Sequence, residues 1–216
     1  MIHLIGEQRV TEALRVLCVG CHSDDIEIGC GGTILRLAQQ CPKAEFHWVV
    51  FSALGVRQAE AQRGAALFAG SRLKGSLLKE FQDGFMPYVG ADVKMVFENE
   101  LKQLSPHVTF THYGQDAHQD HRLISELTWN TFRDHLILEY EIPKYDGDFG
   151  RPTVFVPLET NIYHNKVRYI METFQSQCNK RWFEQETFLS LMRLRGMECN
   201  AQSGYAEAFY CRKLVM

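Results

Sequence analysis

The 216 residues carry 23 basic and 26 acidic side chains, a formal net charge of −3, and are 45% hydrophobic. A chain of this length can bury a core without disulfides or a structural metal, and it lacks the basic excess of a protein that tracks phosphates, which argues against nucleic-acid binding. No apolar run reaches the ~20 residues of a membrane helix, Met1–Val10 shows neither a basic start nor an apolar signal core, and seven scattered cysteines suit reduced thiols, so a soluble cytoplasmic protein is expected.

In chain order, Ala13–Gly20 reads as a buried strand and Gly32–Gln40 as a helix; Glu45–Ala53 is a second strand, and Arg57–Ala69 a second helix ending near Gly70. Leu73–Leu78 is a weaker third strand before the turn Asp83–Gly84. Val93–Leu104 has helical apolar spacing, closed by Ser105–Pro106, and Val108–Thr111 is a fourth strand followed by a helix over His121–Arg133. Leu136–Pro143 and Val154–Leu158 read as strands around the loop Lys144–Pro152, Asn165–Thr173 as a helix, and Ala206–Leu214 as a closing strand. Strands alternating with helices predict an α/β fold with a doubly wound, mostly parallel, Rossmann-like sheet and helices on both faces. No repeat or linker interrupts it, so residues 1–216 read as one domain.

Two clusters carry the chemistry. The first, Cys21-His22-Ser23-Asp24-Asp25-Ile26-Glu27-Ile28-Gly29-Cys30-Gly31-Gly32-Thr33, follows the first strand; the second, Asp116-Ala117-His118-Gln119-Asp120-His121, follows the fourth. In doubly wound sheets ligands bind beyond the carboxyl ends of strands, where the winding reverses. Two His/Asp clusters meeting there offer ligands for zinc or another divalent ion. Taken alone, each cluster also fits a solvated turn. The glycine run does not satisfy GxGxxG, because Ile34 holds the sixth position, and two carboxylates beside it would repel a pyrophosphate. Cys18 and Cys21 form a CxxC without a second one and read as core residues. His112, on the last turn of the fourth strand, reads as packed or hydrogen-bonded.

His22-Ser-Asp24-Asp25 followed by Gly-Cys-Gly-Gly-Thr resembles the HPDD…GCGGT signature of the PIG-L (LmbE-like) zinc-dependent N-deacetylases, and His118-Gln-Asp120-His121-Arg122 resembles that family's HxDHR. Arg57-Gln-Ala-Glu60, Asp83-Gly84 and Tyr205-Ala-Glu207-Ala-Phe are further matches. Ser23 stands where the family has Pro, and Asp116 where some members have Tyr. The resemblance implies one Zn2+ per chain held by His22, Asp25 and His121, with Asp24 as general base. His118 would be the acid or oxyanion stabiliser, oriented by a hydrogen bond to Asp120 that raises its pKa.

The chemistry of these residue types agrees: two imidazoles and one carboxylate leave a zinc position open for water, and a neighbouring carboxylate can take that water's proton. The expected activity is removal of an acyl group, acetyl above all, from a small N-acylated amino sugar such as an N-acetylglucosamine conjugate. Arg57, Tyr145 and Arg151 are the candidate substrate-binding residues. A hydrolase of non-sugar amides or carbamoyl groups, and a non-catalytic metal- or ligand-binding protein, are the alternatives; whether the chain forms a homo-oligomer stays open.

Overall fold

The computed structural model describes residues 13–214; the reading of Met1–Val10 lies outside them. One seven-stranded sheet runs in the order β3-β2-β1-β4-β5-β7-β6. Its strands are β1 (Arg15–His22), β2 (Glu45–Ser52), β3 (Leu73–Leu78), β4 (Val108–His112), β5 (Leu136–Tyr140), β6 (Val154–Pro157) and β7 (Ala206–Tyr210). The pairs β1·β2, β2·β3, β1·β4 and β4·β5 are parallel, while β7 runs antiparallel to both β5 and β6. The winding therefore goes outward from β1 to β3, then restarts on the other side of β1 with β4. The switch point lies between the two strands that the His/Asp clusters follow.

The helices are α1 (Asp25–Gln40), α2 (Val56–Ala69), α3 (Gly90–Val96), α4 (Gln119–Thr131), α5 (Thr160–Thr173) and α6 (Gln185–Glu198). Alternate side chains of the central strands point to opposite faces. Val16 and Cys18 of β1, with Phe46, Trp48 and Val50 of β2, join residues of α1, α2, α5 and α6 in one apolar layer. Leu17, Val19 and Cys21, with Val49 and Phe51, pack against α3 and α4 in the other. Cys18 and Cys21 are thus fully buried on opposite faces.

Helices α4 and α5 begin two and five residues earlier than expected and β7 ends at Tyr210 rather than Leu214; three larger differences follow. Helix α1 starts at Asp25, seven residues ahead of Gly32, because its glycines are contact points rather than breaks. A Cβ on Gly29 would stand 2.2 Å from the Tyr140 ring, and one on Gly31 2.5 Å from Phe68. The segment expected as one helix to Leu104 is α-helical only through Val96, then widens into a π-turn at Phe97–Leu101 and tightens into a 3₁₀ turn at Lys102–Leu104. Helix α6 was not foreseen. Its buried side includes Arg195 and Gly196 beside Phe188 and Met192, which breaks the apolar period.

Glu207 of β7 ties the fold to α1. Its carboxylate accepts the N–H of Gly32 (2.8 Å), the N–H and Oγ1–H of Thr33 (2.6 Å each) and the Nζ of Lys166 (2.6 Å). Lys166 of α5 also donates to the Ile28 carbonyl at 2.6 Å. Both charged groups are buried. Both Glu207 oxygens accept two hydrogen bonds each and Lys166 makes two, the kind of added bonding under which a buried ion pair is tolerated.

Candidate active site

His22 is the last residue of β1, and Asp24 and Asp25 turn the chain into α1. Asp25 Oδ2 accepts the backbone N–H of His22 at 2.6 Å, which folds that carboxylate back against the strand end. Helix α4 brings the second cluster. It begins at Gln119, so His118 rather than His121 opens it, as the N-cap; His118 Nδ1 accepts the Asp120 N–H at 3.3 Å. His121 then lies one turn into the helix, facing β1.

The two clusters meet. His22 Nδ1 is 3.1 Å from His121 Nε2 and 3.3 Å from Asp25 Oδ2, and His121 Nε2 is 3.5 Å from Asp25 Oδ2. Bonds of ~2.0–2.2 Å from a tetrahedral zinc set neighbouring ligand atoms about 3.3–3.6 Å apart; the two edges to Asp25 match that spacing, and the edge between the two imidazoles is about 0.2 Å shorter. His118 stands at its edge, with ring centroids 5.0 Å from His22 and 4.5 Å from His121. Other groups of donor atoms lie close enough to share an ion, namely His22–His118–His121, Cys21–His22–Asp120 and Asp25–His112–His121. The last is disfavoured because His112 Nε2 already accepts the Cys21 N–H at 2.9 Å.

The electrostatics favour a cation. Asp24, Asp25, Asp83, Asp116 and Asp120 surround the histidines, against the cations Arg57 and Lys144. Burial opposes a charge on His22, yet Asp25, with Asp120 and Asp83, holds its pKa well above the usual histidine range. Burial would likewise raise Asp25, but the imidazoles of His121, His112 and His22 hold it well below the carboxylate range. Burial, with His112 close by, pushes His121 down to about 3, leaving it neutral and able to ligate. Asp24 behaves differently. Burial raises its pKa despite the Arg57 guanidinium, whose Nη2 donates to Oδ1 at 2.7 Å.

One expected contact is absent. The Asp120 carboxylate does not orient the His118 ring; it accepts the N–H groups of Gly84 (2.6 Å) and Met86 (3.2 Å) and lies 3.7 Å from His22 Nε2. Nor is the pKa of His118 raised: burial and the nearby His22 lower it. Asp116 instead accepts the main-chain N–H of His118 at Oδ1 (2.7 Å), and the ring it orients is that of His121, whose Nδ1 lies 3.1 Å from Oδ2. His112 also supports the site, its ring stacked on His121 with centroids 3.9 Å apart. Of the substrate candidates, Arg57 reaches the cluster. Tyr145 is 71% exposed with its hydroxyl accepting the Arg181 N–H at 3.2 Å, and Arg151 is exposed; among the described contacts neither touches the cluster. Asp83, 2.9 Å from His22 Nε2, is a site residue not assigned from sequence, although Asp83–Gly84 was among the matched positions.

A doubly wound α/β sheet with a histidine–aspartate cluster at its switch point is a recognised architecture for binding at strand ends. Residues 17–132 match the PIG-L family, described as GlcNAc-PI de-N-acetylase, and the chain belongs to that family. Among solved structures it is similar to the N,N'-diacetylchitobiose deacetylase of Pyrococcus horikoshii, at 20% identity over 95% of this chain and 86% of that one, with a TM-score of 0.71. It is also similar to GalB, the 4-carboxy-2-hydroxymuconate hydratase of Pseudomonas putida KT2440, at 17% identity, 94% and 97% coverage and a TM-score of 0.71. A third is the teicoplanin deacetylase Orf2 in its zinc-inhibited form, at 12% identity, 91% and 97% coverage and a TM-score of 0.68. These likenesses concern the fold, and it is shared by deacetylases and a hydratase.

Proposed function

We propose that this chain is a zinc-dependent hydrolase that removes an N-acetyl group from an amino sugar or its conjugate. The observation that carries this reading is the ligand-sized triangle of His22, Asp25 and His121 beside a carboxylate, Asp24, that is not needed as a ligand. The deacetylases among the structural neighbours, named for N,N'-diacetylchitobiose and for teicoplanin, support a sugar-bearing substrate. A divalent ion held by the triangle would polarise the amide carbonyl and acidify a water.

The remaining steps belong to the protein. Asp24, positioned by Arg57, takes a proton from the attacking water as its oxygen bonds to the carbonyl carbon. His118 accepts the Asp120 N–H at Nδ1, which leaves Nε2 protonated in the neutral ring. That N–H is a donor for the oxyanion. As the C–N bond breaks, Asp24 returns its proton to the amine nitrogen, giving the free amine and acetic acid, which loses its proton to solvent as acetate. His118 thus acts as a neutral hydrogen-bond donor, in place of the protonated imidazole expected from sequence.

Mass spectrometry of a panel of N-acetylhexosamine conjugates, with metal-loaded and chelated protein, tests the reading. Metal-dependent release of acetate is expected; no acetate loss from any conjugate by a metal-loaded sample overturns it. Asp24→Asn should retain metal but lower kcat by ~10²–10⁴, whereas His22→Ala should lose the metal. Near wild-type turnover in Asp24→Asn would remove Asp24 from the role of base.

A further inference from the structure

The loop after β5 is fastened at both ends. Near its far end, the Gly150 N–H donates to the Tyr210 hydroxyl at 2.8 Å, and that hydroxyl donates to Glu141 Oε1 at 2.7 Å. Glu141 in turn receives two hydrogen bonds from the Arg195 guanidinium of α6, at 2.9 and 2.7 Å. At its near end, Lys144 Nζ lies 2.5 Å from Asp148 Oδ2 and 3.0 Å from Asp116 Oδ2. Asp148 Oδ2 also accepts the Ala117 N–H at 2.6 Å, so the loop grips the segment that carries His118.

Asp116 is 2% exposed and has two duties, the His118 backbone at Oδ1 and the His121 ring at Oδ2. A buried carboxylate shared between two partners needs a compensating charge. Among the described residues, Lys144 is the cationic side chain that bonds that carboxylate; Arg122 approaches only the main-chain carbonyl of Asp116, at 2.8 Å. Burial would raise the pKa of Asp116, but its hydrogen bond to the His121 ring, with His112 and the Lys144 ammonium close by, holds it far below the carboxylate range.

We infer that Lys144 is a positioning residue: by bridging Asp148 and Asp116 it joins the loop after β5 to the carboxylate that aims His121, so that loop and ligand set move as one unit. The inference rests on the metal reading of the site. Its consequence is that the loop's conformation tunes metal affinity through a residue that touches neither metal nor substrate. Groups that orient a ligating histidine typically change metal affinity by ~10–100-fold when lost.

The test uses the full chain, with zinc affinity measured by chelator competition and the cobalt(II) form followed by visible absorption. Lys144→Met should weaken zinc binding about tenfold and shift the cobalt spectrum, while Lys144→Arg, which keeps a donor cation, should restore both. Circular dichroism and the melting temperature of the metal-free variants report whether they fold; if Lys144→Met does not, Asp148→Asn should weaken zinc binding in the same direction by loosening the lysine. Wild-type affinity and spectrum in folded Lys144→Met, or in Asp148→Asn where that variant stands in, overturn the role of Lys144. Equal losses in Lys144→Met and Lys144→Arg also overturn it. A wild-type chain that binds no divalent ion overturns the metal reading itself, a different outcome.

Discussion

Asp24 and Asp25 are neighbours in sequence, yet their surroundings divide them: three imidazoles hold Asp25 as a carboxylate, while burial and a single guanidinium act on Asp24. The sign of the Arg57 effect is testable. Arg57 lowers the pKa of Asp24 against burial, so removing it lets that pKa rise further, and the base is then protonated up to a higher pH. The acid limb of kcat/KM should therefore move to higher pH in Arg57→Ala, with little dependence on salt because the pair is largely shielded from solvent. A pH–rate profile of wild type and variant checks this; an unmoved limb separates Arg57 from the base. On the alkaline side, a neutral His118 removes the decline that a protonated imidazole would impose. These side-chain assignments were partly legible from the chain. Both HxD-type clusters name their residues, but Asp116 and Asp120 are both aspartates near His118 and His121, and only the fold shows that Asp120 is taken by the Gly84 and Met86 N–H groups while Asp116 holds the His118 main chain and the His121 ring.

For elements, the clearest link between sequence and structure is α1. Glycines in a row suggest a loop, but here the absence of side chains lets the helix settle against Tyr140, Phe68 and Leu158. Tertiary contact overrides propensity. Gly29→Ala should accordingly destabilise the fold, since the new methyl overlaps the ring of Tyr140, whose hydroxyl is held by the Val19 carbonyl at 2.7 Å. Glu207→Ala should cost more, about 3–5 kcal/mol, because it leaves the Lys166 ammonium buried without its counter-charge. Urea unfolding of the two variants measures both. A Glu207→Ala loss below that of an exposed ion pair, about 1 kcal/mol or less, would show that water or another group replaces the carboxylate. The strands were easier to read than the helices, since β1 and β2 are apolar on both sides and need no partner to be recognised. Helix α6 hides behind Arg195, whose inward guanidinium is explained by Glu141, a residue 54 positions earlier.

At the scale of the molecule, the switch point follows from alternating strands and helices and needed no distant contact to predict. The antiparallel return of β7 between β5 and β6 was not predictable in that way, because nothing in residues 206–210 states which edges they join. An ion bound at the strand ends should stabilise the whole sheet by linkage. At a free concentration of ~100 times its Kd this amounts to about 2.7 kcal/mol, or roughly 5–10 °C in Tm for a domain of this size. Calorimetry before and after chelation checks it. A Tm indifferent to chelator and to added zinc would argue that the histidine cluster does not bind the ion in the folded state.

The hydrogen bonds from Gly32 and Thr33 to Glu207 span 175 and 174 positions of sequence. During synthesis, at ~5–20 residues per second, a ribosome needs roughly 9–35 s to travel that interval. Throughout it the helix that begins at Asp25 exists without its partner carboxylate, and Lys166 enters the growing chain before Glu207 does. A nascent chain arrested before Ala206 should therefore leave the Gly32 and Thr33 N–H groups and the Lys166 ammonium without the acceptor that β7 gives them. Fixing of α1 against α5 would then be a late event in the life of each new molecule, timed by the last of the seven strands in chain order.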